Sequence, residues 1–318
     1  MAFAMPTQQP APIGGADPKE AFSPRVGDGA GSQAAERDGL RQRVAERLET
    51  GTIALPLLPQ VASQVLALTS QPKVDALQLS NLIHRDPALA GQVLRIANSP
   101  AYMPSMPIVS LQQAVARLGM ETVTEIVLAA SLQSGTFKVP GYEGALKRLW
   151  RHGLASGLFA KEIARLLRSN VESAFLCGLL HAVGKPALLQ VVADAQRERV
   201  REKLSRTPVP DDTLGELLAE FHTGVGLRIA TSWALPQAVM NAIAFYATFD
   251  TAAANRREAA VANLADLFAS DLDDASPTFE ADIRRQGVVG ELNLYPEDMG
   301  QLLAKRPVVA RTVESMTL

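Results

Sequence analysis

The sequence predicts an all-α protein made of two packed helical lobes. Apolar residues recur at three- and four-residue spacing through most of the chain. Capping residues and prolines punctuate those periodic runs where helices should start and stop. No segment sustains period-two alternation between turn signals, so strands are minor at most.

The elements follow in order from residue 55. LPLLPQVASQVLALTS opens with prolines and then places Val61, Val65 and Leu68 on one helical face. Asp75 can cap ALQLSNLIH, and Asp86-Pro87 sets a cap before a proline at the first helical position of PALAGQVLRIAN. Ser110 with Gln113 forms a capping box for LQQAVARLG, and ETVTEIVLAASLQS carries the next apolar stripe. Between them NSPAYMPSMPIVS, with its prolines and serines, predicts an ordered non-helical loop. The second lobe reads as a long helix over 145–167, then SAFLCGLLHAVG and PALLQVVADAQRERVREKL. After a break at TPVPDD come TLGELLAEFHTGVGLRIATSW, LPQAVMNAIAFYATF and NRREAAVANLADLFAS. Residues 271–318 read as a charged loop followed by a short helix in YPEDMGQLLAK.

Residues 1 to about 35 are rich in Pro, Gly, Ala, Gln and Ser, which cannot bury enough surface to offset the entropy of ordering. A disordered tail is expected there, with a polar helix over 37–50. A chain of 318 residues that is 47% hydrophobic and 20% charged falls in the ordinary globular class. Its formal net charge of −2 argues against general attraction to nucleic acid or to anionic membrane. One cysteine, Cys177, allows no internal disulfide, which fits a reducing compartment. No run reaches the roughly 20 apolar residues of a membrane span, and the start lacks a secretory pattern. The expectation is a cytoplasmic protein.

The chemistry-bearing residues are few. His84 sits at a helix end, where an imidazole meets the C-terminal dipole, and reads as structural. Cys177, inside AFLCGLL, reads as a small core residue and not as a nucleophile. Gly224-Val-Gly226 lacks the partners of a phosphate loop and reads as helix packing. RERVREK over 197–203 reads as a solvated face. His152 and His181 lie on apolar helices beside small residues that permit close approach (HGLASG, CGLLHAVG), and Asp266 is an acid on an apolar helix face. A buried carboxylate needs a partner. Two imidazoles and a carboxylate converging between helices suit a divalent transition metal; the plainer reading is a set of hydrogen-bonded core groups.

Taken in order, LPLLPQVASQVLALTSQP, LSNLIHRDPALAGQVLRIANSPAYMPSMPIVSLQQAVARLGMETV, LWRHGLASGLFAKEIA, AFLCGLLHAVGKPALL and LLAEFHTGVGLRIATSWALPQAVMNAIAFY resemble the bacterial HDOD domain. That domain is a signalling-output relative of the HD superfamily of metal-dependent phosphohydrolases. The resemblance covers 51–250, with a helical lobe over 51–138 and an HD-like lobe over 139–250. It leaves the 1–50 tail and a 251–318 extension outside. By this resemblance His152 matches the first histidine of the catalytic relatives, His181 the histidine of the His-Asp pair, and Asp266 the distal aspartate. Ala182 stands where the paired aspartate would be, removing a hard oxygen ligand. Phe245, Tyr246 and Ala247 stand where relatives often carry histidines, while His222 keeps its place.

The resemblance implies no catalytic residue and a remnant pocket of His152, His181, Ala182, Lys185, His222 and Asp266. It implies no cofactor and a regulatory module that binds signalling proteins, with homo-oligomers allowed; the near-neutral charge leads to the expectation of neither nucleic acid nor membrane as partner. The alternative is a degenerate phosphohydrolase for a nucleotide or cyclic dinucleotide. There His152, His181 and Asp266, with His222 beside them, would hold a divalent transition metal, and Lys185 would lie near the phosphate. A third reading is a sensor that binds a small ligand in the remnant cavity without turnover.

Overall fold

Local chain chemistry sets the helix starts in the computed structural model, which describes residues 28–51, 55–69, 75–102, 104, 106–204 and 209–317. Among these residues there is no strand. Helix α1 (Asp28–Glu49) begins ahead of the expected start at Arg37. The expected tail falls largely on residues 1–27, outside the described residues, and its last residues are helical. The described residues up to Gly39 form one unit and those from Leu40 onward another, to which everything below belongs.

After α2 (Gln60–Thr69), Asp75 accepts from the Leu77 and Gln78 N–H groups and opens α3 (Ala76–Ile83). Asp86 accepts from Leu89 N–H at 3.0 Å and opens α4 (Pro87–Ala97) with proline in its first turn. The following loop is stapled by Asn98, whose amide donates to Ile108 O and accepts from Ile108 N–H, both at 2.8 Å. Ser110 accepts from Gln113 N–H at 3.2 Å to open α5 (Leu111–Gly135). The return half of the expected box shifts by one residue, since Gln113 accepts from Val109 N–H. Inside α5, Gly119 takes φ 82° and ψ 159°, separating the two runs read in the sequence. A Cβ disfavours that conformation.

The second lobe holds α6 (Glu143–Leu166), α7 (Val171–Leu180), α8 (Gly184–Arg201), α9 (Asp211–Ser232), α10 (Gln237–Phe245), a 3₁₀ turn (Tyr246–Thr251) and α11 (Arg256–Asp273). Phe159, Phe175 and Phe268 are buried at its centre, with the Phe159 and Phe268 rings 4.9 Å apart. The apolar core runs continuously through both lobes, and Trp233 ties them by donating from Nε1 to Pro56 O at 2.8 Å.

Two expectations change. The stretch Val171–Arg201 is long and apolar enough to cross a membrane by composition, contrary to the sequence reading. Its most apolar window is 78% buried against neighbouring helices, so its hydropathy serves the core. The C-terminal extension holds α12 (Phe279–Ile283), α13 (Gly287–Glu291) and α14 (Pro296–Met316). The last is a long helix that runs through Pro307, not a short one. An internal proline disrupts a helix, but Val309, Thr312, Val313 and Met316 beyond it are buried and hold the continuation in place.

Candidate functional site

Helix α6 positions His152, the turn after α7 positions His181, and α11 positions Asp266. Glycines make the approach possible. At Gly178 a Cβ would overlap the Ser156 carbonyl of α6, and at Gly184 it would overlap the His222 carbonyl of α9. The three side chains therefore meet: His152 Nε2 lies 2.8 Å and His181 Nε2 3.0 Å from the same Asp266 Oδ1. Their potential ligand atoms all fall within 4.8 Å of one another.

The outer nitrogens fix the rings. His181, fully buried, donates from Nδ1 to Gly178 O at 2.7 Å, because a carbonyl can only accept. Its Nε2 then faces a carboxylate, so a proton or a cation must lie on that line. His152 has a carboxylate at each nitrogen, since Asp273 Oδ2 lies 3.1 Å from Nδ1. Burial alone would depress the His152 pKa, but hydrogen bonds to Asp266 and Asp273 outweigh it and raise it to about 9. For Asp266 burial pushes the other way, yet the two imidazoles hold its pKa well below the usual carboxylate range.

His222 does not join this group. Its Nδ1 donates to Ala219 O at 3.1 Å, and the Tyr246 hydroxyl donates to its Nε2 at 3.0 Å. Burial, then the Lys185 charge, lowers its pKa to about 4, so it is a neutral ring. Lys185 also opposes protonation of His152, so its charge acts on both histidines. Tyr246 meets His181 edge-on at 4.6 Å between ring centroids. Ala182 lies partly buried in the turn beside His181 and offers only a methyl group.

The donor set of two imidazoles and a carboxylate, each imidazole backed by an outer acceptor, suits one divalent transition ion. It lacks the oxygen ligand that position 182 would add. The sequence reading missed Asp273 and the bridging role of Tyr246. Asp273 is seven residues, two helical turns, beyond Asp266 and so on the same face, a signal hidden inside the charged run DLDD. Cys177 is buried, and burial pushes its thiol up to about 12, which leaves it a core residue.

A protein of Treponema pallidum (strain Nichols), described as an uncharacterized protein, is 24% identical over 217 residues, covering 65% of this chain and 39% of its own length. The cyclic di-GMP phosphodiesterase CdgJ of Vibrio cholerae serotype O1 is 27% identical over 154 residues, 48% of this chain and 32% of its own. The chain thus spans well under half the length of the curated relatives it matches. The crystal structure of an HDOD domain protein with unknown function from Geobacter sulfurreducens superposes with a TM-score of 0.66 at 19% identity, covering 90% of this chain and 99% of that one. That likeness concerns the fold. The HDOD domain model itself matches residues 55–249, more than half of the sequence, and the chain belongs to the HDOD domain family.

Proposed function

We propose that this HDOD chain is a non-catalytic regulatory module that binds signalling proteins and keeps a degenerate HD site as an internal polar cluster. The observation that carries this reading is Ala182, a methyl group beside His181 where the paired acid of a phosphohydrolase would stand. The pairing of both imidazoles on Asp266 supports it, because the cluster satisfies its own charges without a substrate. The reading does not include nucleic acid or membrane as a partner.

A second reading is favoured by the convergence of His152, His181 and Asp266. These residues would hold a single divalent cation, which when bound would supply an acidified water for hydrolysis of a phosphate ester. Lys185 would orient the phosphate, and the Nδ1 acceptors Asp273 and Gly178 O would hold the two rings. Cyclic di-GMP is the substrate to try first, by analogy with the CdgJ relative.

One experiment separates the two. Wild type and Ala182→Asp are purified without chelator, analysed for manganese, iron, nickel and zinc, and assayed on cyclic di-GMP and nucleotide esters. The regulatory reading expects substoichiometric metal and no turnover in wild type, with metal gained by Ala182→Asp. Stoichiometric metal together with turnover in wild type overturns it in favour of the second reading.

A further inference from the structure

A cavity of about 450 Å³ lies where the α5–α6 connection meets the first turns of α6. It is separate from the histidine cluster: Trp150 lines it, and Trp150 leaves α6 some 200° around the helix from His152. Its size is within the range of small-molecule sites, roughly 300–1,000 Å³. Phe137, Val139, Leu146 and Trp150 give it apolar walls, with the Phe137 and Trp150 rings 5.8 Å apart and tilted by 45°.

Two further observations give the occupant its chemistry. Lys138 and Lys147 line the same cavity, are exposed, and are in no ion pair among the described residues. The acid beside them, Glu143, is engaged with the Gly141 N–H, its two oxygens lying 3.1 and 3.2 Å away. The rim is therefore biased toward anions. The indole Nε1 of Trp150 is buried and has no acceptor among the described residues, a condition that native proteins rarely leave unanswered. We propose that this cavity binds a small planar aromatic anion, its ring against Phe137 and Trp150 and its charge between Lys138 and Lys147. Aromatic walls favour a flat ring over an aliphatic chain, and the free ammonium groups favour a negative charge over a neutral ligand.

The test titrates the full chain with anilinonaphthalene sulfonate, an aromatic anion, and with N-phenylnaphthylamine, its uncharged analogue, following dye fluorescence. One saturable site per chain is expected for the sulfonate. The double variant Lys138→Ala, Lys147→Ala should weaken it about tenfold and leave the neutral dye nearly unchanged. Leu146→Glu, at a partly exposed wall position, should abolish binding of both, and circular dichroism melting confirms that each variant folds. Displacement of the dye by adenosine monophosphate, or by naphthoate alone, supports the site and tells a nucleotide source from another aromatic anion. Absence of saturable binding, or equal sulfonate affinity in the lysine variant, overturns the proposal. So does displacement by an acidic peptide where both small anions fail.

Discussion

His152 holds a carboxylate at each of its ring nitrogens, Asp266 at Nε2 and Asp273 at Nδ1. Asp266 is shared with His181, whereas Asp273 serves His152 alone. Asp273→Asn keeps an acceptor oxygen and removes the charge. It should lower the His152 pKa by about one unit, the size of a partly exposed carboxylate–imidazole interaction. An NMR titration of the imidazole checks this, and an unmoved titration would mean that Asp273 only lies nearby. Some of this was legible in the residues themselves. An acid on the apolar face of VANLADLF demands a partner, and a His-Ala pair exposes its missing carboxylate. The Tyr246–His222 bond was not legible, because it depends on the chain leaving α10 through a 3₁₀ turn that places the Tyr246 hydroxyl back over α9.

Helix contacts are set by glycines, and their roles differ by position. Gly178 lets α7 approach α6, and a Cβ there would overlap Ser156 O and crowd Ala160 and Gly157. Gly184→Ala would meet the carbonyl of His222, which as backbone cannot yield cheaply. Overpacking of this kind costs about 1–3 kcal/mol, occasionally more. Gly178→Ala should fall inside that range and Gly184→Ala at or beyond its upper end, measured by urea unfolding. Gly224 has open space around its Cβ position, so Gly224→Ala should be neutral or stabilise by up to about 1 kcal/mol through helix propensity. Equal losses at all three positions would refute the packing account. The small-residue runs HGLASG and CGLL announce the α6–α7 approach, whereas of the two glycines in GVG only Gly226 packs, against Ile243 and the Gly184 backbone. The long α14 was missed because Pro307 reads locally as a stop, while the burial that carries the helix past it is a tertiary effect.

Across the whole molecule, buried titrating groups pull the pH dependence of stability in opposite directions. Capping residues made the helices legible, but the meeting of α5 and α6 was not. There Glu125, 4% exposed, pairs with Lys161 at 2.5 Å, with Glu121 and Arg165 close by. Burial raises the Glu125 pKa to about 7, and the Lys161 ammonium restrains the rise. Between pH 4.5 and 7 the folded chain then holds a proton that the unfolded chain has lost, so stability falls as pH rises through that window. His222 acts the opposite way. Its folded pKa of about 4 lies below the unfolded 6.5, so the unfolded chain holds the extra proton and stability rises with pH between those values. His152, raised to about 9, adds stability that is complete below pH 6.5 and is lost as pH climbs through 9. The first two slopes, each at most about 1.4 kcal/mol per pH unit, nearly cancel between pH 4.5 and 6.5, and the alkaline side declines. Wild type should therefore show a flat acid shoulder in its melting temperature. Removing Glu125 leaves the His222 slope unopposed, so Glu125→Gln should melt progressively higher from pH 4.5 to 6.5 relative to its own acid value. His222→Gln should melt progressively lower over the same range. Thermal scans of the three proteins across that range decide the matter, and parallel profiles would show that neither group is linked to folding.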